Sequence, residues 1–321
     1  MKKILLTSVI IIASMLLIPL GVLSEPEKVL PTTAVVKNTN PDSSLFLKDT
    51  EYFRVYDAET NNITEMPKNE YIFGVVAAEM PALYHPEALK AQAVAAYTFA
   101  LTRKAENKNN KYDITTASST DQSFISKEAA TLKWGEDAPV YIEKIEKAIA
   151  ETENLVLTYN GKPITAVYHA ISSGKTESSA DIWGVELPYL IPVASEDDRL
   201  AQNYQTEISF SEAELRNLIP EFREAETVSF GQSLKTDSGT VKEIEACGKT
   251  ISGDELRNLL NLRSANFTVA QSSGVFTFTI YGYGHGVGMS QNGADCMAKK
   301  GCGFREILNH YYPNCQIEEL K

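Results

Sequence analysis

Between residues 281 and 291 the chain carries Gly282, Gly284, Gly286 and Gly288 at alternate positions, around Tyr283, His285 and Val287. No other stretch restricts the possible folds as tightly. A strand or helix with glycine at every second place has few side chains to pack and much backbone entropy to lose. Such a segment holds together only as backbone laid close against another part of the protein. His285 has little side-chain bulk beside it in sequence, so it reads as presented rather than packed. Ser290 and Gln291 follow as hydrogen-bonding candidates.

The N-terminus is the opposite case. Met1, Lys2 and Lys3 precede an uncharged apolar run over residues 4–23. At about 1.5 Å per residue, a helix of that length covers the roughly 30 Å of a bilayer core. The lysines orient the rest of the chain outward. A cleaved signal peptide has a shorter apolar region, about 7–15 residues, and a small-residue site after it. The run is longer than that, and Gly21 to Ser24 make a poor site, so the pattern favours an uncleaved anchor over residues 1–24. Residues 25–50 hold Pro26, Pro31 and Pro41 among polar residues and read as a tether. Residues 51–321 are then one folded domain. The net charge, 30 basic against 42 acidic residues or −12, argues against binding nucleic acid.

Within that domain, strands are expected over residues 52–56 and 63–66, around an Asn61-Asn62 turn. Helices are expected over residues 68–80, stopped by Pro81, and from Pro86 to about residue 105. The second is rich in alanine and suited to close packing. Another helix falls within residues 140–153. Residues 155–159 and 164–169 flank Asn160-Gly161 as a hairpin. Ser211 with Glu214, and Ser252 with Glu255, form capping boxes at two short helices. A second hairpin occupies residues 267–281, and a final helix residues 292–300. Strands paired mostly in hairpins among helices give an α+β class.

Chemistry concentrates in few places. Glu79 is a lone carboxyl among Val75, Val76, Ala77, Ala78 and Met80, at a helix C-terminus. Apolar surroundings and the negative helix end both disfavour its charged form, so its pKa rises, as a general acid requires. The competing reading is an exposed glutamate at a helix end. Lys90, Val94 and Tyr97 share a helical face. Lys90 is placed near Glu79, near a substrate's polar groups, or simply in solvent, and Tyr97 is then core. Ser172 and Ser173 precede Gly174 in a tight turn able to hold oxygens on backbone amides, without the spacing of a phosphate-binding loop. The histidines and cysteines match no common metal pattern. Cys296, Cys302, His310 and Cys315 are the rival zinc set, and their spacing is atypical. No metal or cofactor is expected.

Taken together and in order, residues 79–101 (EMPALYHPEALKAQAVAAYTFAL), 170–190 (AISSGKTESSADIWGVELPYL), 262–267 (LRSANF) and 282–294 (GYGHGVGMSQNGA) resemble the stage II sporulation protein D family. The single N-terminal anchor fits too. The resemblance implies a membrane-anchored, extracytoplasmic lytic transglycosylase that cuts peptidoglycan glycan strands to 1,6-anhydro ends during spore engulfment. It also implies a partner amidase, stage II sporulation protein P, and a membrane scaffold, stage II sporulation protein M. The family's catalytic glutamate falls on Glu79 and its lysine on Lys90. Gln92, Tyr97, Ser172, Ser173, Tyr189, His285, Ser290 and Gln291 become the substrate-binding candidates. Amidase enhancers, a related branch, make a non-catalytic role the alternative. Two departures stand out. The family's arginine is replaced by Tyr97, and residues 113–124 lack the cysteines and histidine that resemble a zinc site in some members.

Overall fold

The computed structural model describes residues 51–320. The expected anchor and tether lie outside the described residues. Among the described residues no helix is long and apolar enough to cross a membrane. The architecture mixes helices with several small sheets.

Strands β1 (Tyr52–Tyr56) and β2 (Ile63–Pro67) form the expected antiparallel hairpin, and β2 runs into helix α1 (Lys68–Glu79). Met80 is extended ahead of Pro81, because the proline ring excludes helical backbone at the residue before it. Helix α2 (Pro86–Glu106) begins on its proline, with the His85 ring accepting from the Glu87 N–H. Its alanines from Ala88 to Ala100 are buried, which lets α1, the helix over Ala138–Ala150 and two C-terminal helices approach it closely. Strand β3 (Ile114–Thr115) pairs in parallel with β1, and helices α3 (Lys127–Trp134) and α4 (Ala138–Ala150) follow.

The first departure from expectation comes after Asn160-Gly161. After the turn, strand β4 (Leu155–Tyr159) is met only by the two-residue β5 (Lys162–Pro163). The Ile164 N–H still reaches the Leu157 carbonyl, but residues 165–167 then leave the hairpin, with Ile164 and Ala166 buried. Strand β6 (Tyr168–His169) pairs elsewhere, in parallel with β13 (Met289–Ser290) of the glycine-rich segment. The backbone demand of that segment overrides the local hairpin signal. A short helix α5 (Ser179–Trp183) follows β6.

Residues 205–281 build a second hydrophobic core of their own. It contains β7 (Gln205–Ser211), α6 (Glu212–Leu218), the meander β8 (Phe230–Lys235), β9 (Val241–Ala246) and β10 (Lys249–Ser252), then α7 (Gly253–Leu259), β11 (Phe267–Ser272) and β12 (Val275–Tyr281). Its centre is a cluster of rings, with Phe230 and Phe267 packed 5.5 and 5.6 Å from Phe278. Ser211 and Glu214 complete their reciprocal cap; at α7 the Ser252 side chain accepts from the Glu255 N–H. The meander was not anticipated. Only Val241, Ile244 and Ala246 of β9 are buried, among charged residues and register shifts that blur the alternation.

The chain then returns to the first core through the glycine-rich segment, β13 and helix α8 (Gln291–Lys299). This helix was expected to be the last, but α9 (Phe304–Tyr311) and β14 (Gln316–Glu319), which pairs with β4, come after it. All four alternating glycines have positive φ. Gly288 shows why: at φ +74° an added Cβ would lie 2.0 Å from the Val167 carbonyl oxygen. Gly161 has a similar φ of +72° but opens on empty space. Gly161→Ala is therefore expected to destabilise the fold by about 1 kcal/mol, from backbone strain alone. Gly288→Ala should exceed that by at least about 2 kcal/mol, because the neighbouring backbone must move as well. Equal denaturation midpoints for the two variants would contradict this packing.

Candidate active site

Glu79 is the last residue of α1, mostly buried, and its Oε1 accepts the Ser123 N–H at 2.7 Å. Burial raises its pKa; the Ser123 hydrogen bond opposes the rise without cancelling it. The two effects suit different moments of a reaction. Burial favours the protonated acid, and the N–H steadies the carboxylate once the proton has left.

The loop carrying Ser123 is tightly held. Asp121 accepts from Arg103 and from the Thr115 N–H. Gln122 bridges two tyrosines, accepting from Tyr71 at 3.1 Å and donating to Tyr168 at 2.7 Å. The Phe124 ring stacks on Tyr71 and presses on α1 at Gly74, where an added Cβ would overlap it. Burial pushes the Tyr71 and Tyr168 phenols up, and the charge of Glu79 adds to both. Sequence reasoning missed Gln122 and Ser123. Their only signal was the polar stretch before α3.

Tyr168 links this group to the glycine-rich segment. The His285 Nδ1 accepts from the Val287 N–H at 3.1 Å, which leaves the ring proton on Nε2. The ring packs against Trp183 and His169, at 5.3 and 5.8 Å. The His169 Nδ1 lies 3.1 Å from the Val287 carbonyl and donates to it, and its Nε2 is buried without a partner. Burial lowers His169 to about 4 and His285 to about 3, so both are neutral at neutral pH. A second carboxyl with a raised pKa, Glu177, is sealed beneath this segment, with Thr236 donating to it from the second core.

Most of the other candidates serve the fold. Lys90 is held by Glu87 and Glu151, at 2.6 and 2.5 Å. Gln92 is buried and accepts from Gln291, also buried. Tyr97, at the position of the missing arginine, is core: its ring meets Phe53 edge-on, and the buried Lys68 ammonium lies 5.6 Å from its centroid. Ser172 is turned inward, its N–H and hydroxyl both donating to the buried Asp198. Ser173 donates to the Ser238 carbonyl and so ties the turn to the second core. Tyr189 is buried against Tyr159. Ser290 caps α8 by accepting from the Gly293 N–H. Of the polar candidates, His285 alone stays within the Tyr168 group.

A cleft of ≈ 380 Å³ opens beside Glu79, with Met80, Pro81, Leu83, Lys133, Trp134 and Tyr141 on its walls. Glu177, by contrast, is closed off from solvent, so Glu79 is the raised carboxyl that a ligand can reach. The cysteines are free thiols, and no group of three or more potential metal ligands occurs among the described residues. The rival set is used otherwise: His310 meets the Ala194 carbonyl at 2.7 Å.

The stage II sporulation protein D of Bacillus amyloliquefaciens is 36% identical over 275 residues, covering 83% of this chain and 78% of that protein. The chain belongs to this family. A family profile described as Stage II sporulation protein matches residues 56–159, the stretch from β1 to β4 that contains Glu79. The Bacillus subtilis (strain 168) stage II sporulation protein D is 35% identical over 268 residues, with the same coverage of each chain. An amidase enhancer of the same organism is 28% identical over 301 residues, covering 76% of this chain and 40% of its own length.

The raised pKa of Glu79 gives a pH signature. From its ordinary value of 4.5 up to its raised value, the folded protein keeps a proton that the unfolded chain releases, so rising pH favours unfolding. Below that window the effect vanishes, and above it the full penalty is present. Glu79→Gln should therefore gain stability over the wild type as pH rises from about 4 to about 8. The buried histidines act in the opposite sense, their contribution being lost as pH falls below 6.5, but equally in both proteins. Melting curves at each pH check this; a constant difference would show Glu79 to be unperturbed.

Proposed function

We propose that the protein is a lytic transglycosylase that cleaves peptidoglycan glycan strands, with Glu79 as both acid and base. The observation that carries the reading is a reachable carboxyl of raised pKa, lying on a cleft wall with a backbone N–H on it. Hydrolytic glycosidases commonly use two carboxylates. Glu79 is the only acid lining the cleft among the described residues. One carboxyl suffices when the sugar supplies its own nucleophile.

Glu79 first gives its proton to the glycosidic oxygen as the bond from that oxygen to the anomeric carbon breaks. The resulting carboxylate is steadied by the Ser123 N–H. It then takes the proton of the sugar's own 6-hydroxyl while that oxygen bonds the anomeric carbon. The products are a 1,6-anhydro end and a shortened strand; Glu79 is protonated again and no water enters. The intramolecular nucleophile brings its own proximity advantage.

On this reading the α+β domain works outside the cell membrane, anchored in a single pass by residues 1–24. It serves engulfment beside a partner amidase, stage II sporulation protein P, and a scaffold, stage II sporulation protein M. A second reading is a non-catalytic amidase enhancer. The burial of Tyr97 at the place of the family arginine favours it, as does the kinship to an amidase enhancer.

Mass spectrometry of digested glycan strands separates the two. Wild type should release anhydro-ended fragments. Glu79→Gln should fold and lose at least about 10²-fold in rate, the range for removing general acid–base help. Glu79→Asp should fail as well, its carboxyl withdrawn by about one bond length. Wild-type rates from Glu79→Gln would overturn the assignment. A wild type that releases none yet stimulates an amidase would establish the enhancer.

A further inference from the structure

Trp134 belongs to none of the motifs that carry the family resemblance, yet it stands on the wall of the Glu79 cleft. It is the last residue of α3, where Gly135, at φ 57°, turns the chain towards α4. Tyr141, from the start of α4, meets the indole edge-on, at 5.6 Å and 86°. Both rings are only partly buried. The turn after Pro81 lines the same cleft, with Leu83 74% exposed. That turn is held in place from α4, because the Lys144 ammonium donates to the carbonyls of Ala82 and Tyr84. The cleft thus brings an aromatic pair and a fixed apolar turn together beside the acid.

Lys133 adds charge selection. It lines the same cleft and has no acidic partner among the described residues. Lys127, two turns earlier on α3, is matched with Glu146 at 2.5 Å.

We infer that Trp134 and Tyr141 form a sugar subsite beside Glu79, and that Lys133 selects for an acid-bearing amino sugar, the muramic acid type. The inference rests on the glycan-cleaving reading of the site. One face of a pyranose ring is mostly C–H, and it buries apolar area against an aromatic ring while its hydroxyls stay at the edges. A cavity of ≈ 380 Å³ lies at the small end of ligand sites, with room for about two sugar rings. The lactyl or peptide-stem carboxylate of a muramic residue is the anion that the Lys133 ammonium would meet. A sugar held there has its glycosidic bond delivered to Glu79.

The test is binding without turnover. Full-length Glu79→Gln protein is titrated calorimetrically with a muramic-acid-containing tetrasaccharide and with a neutral N-acetylglucosamine tetramer. Adding Trp134→Ala should weaken both ligands about tenfold or more, the loss of about 1.4 kcal/mol at a central aromatic contact. Adding Trp134→Tyr should restore most of the affinity. Adding Lys133→Ala should weaken only the acidic ligand. Melting curves confirm that each variant is folded. Undiminished binding after Trp134→Ala, or no saturable binding by Glu79→Gln itself, overturns the subsite. Equal loss of both ligands after Lys133→Ala overturns the charge selection. Anhydro products are scored separately on the wild type. Trp134-dependent binding with no anhydro products supports the subsite and removes the transglycosylase, so the two claims fail independently.

Discussion

The structure depends on how closely the glycine-rich segment lies against residues 167–177. Besides the β6–β13 pairing and the His169 bond to the Val287 carbonyl, backbone contacts hold the two stretches together: the Met289 N–H on the Val167 carbonyl, the reciprocal pair between Ile171 and Tyr283, and the Glu177 N–H on the Gly286 carbonyl. Side chains at the four glycines would block this approach. The pairing is long-range, and it is what returns the chain from the second core to the first. Beneath it lies Asp198, a buried carboxylate that accepts from Ser172, Ser195 and Asn292. Each donor comes from a different segment, so the network fixes them relative to one another.

Local signals explain what was legible in the sequence. Prolines at residues 81 and 86 punctuated α1 and α2, and the asparagine turns and the Ser211 cap did the same for their elements. Glu79 was recognisable because its apolar neighbours and its helix end are contiguous in sequence. The glycine alternation implied close backbone contact, and the positive φ values with overlapping Cβ positions bear that out. What stayed hidden is long-range. The Ser123 N–H, the Gln122 bridge and the Trp134 wall reach Glu79 only after the loop and α3 fold back on α1. The β8–β10 meander was hidden because its strands are largely exposed and carry many charges.

Serine and glutamine positions show a more general ambiguity. Ser172, Ser290 and Gln291 sit in motifs that look made for a ligand, and the fold turns each of them inward. A close-packed backbone leaves buried donors and acceptors that need partners, and short polar side chains supply them. A sequence cannot distinguish that demand from a substrate's. Tyr97 is the complementary case. A buried ring beside the Lys68 ammonium stands where the family resemblance places a guanidinium. Lys90 is committed to two glutamates, which leaves Lys133 as the cation on the cleft wall.

The central claim is that Glu79 stays protonated in the folded protein at a pH where ordinary carboxyls have ionised. The most direct measurement is a carboxyl carbon-13 NMR titration of glutamate-labelled wild type and Glu79→Gln. A resonance that titrates above those of the exposed glutamates and is absent from the variant, while the raised resonance of Glu177 persists in both, is the result expected from the burial of this side chain. A Glu79 resonance titrating with or below the exposed glutamates would contradict the account.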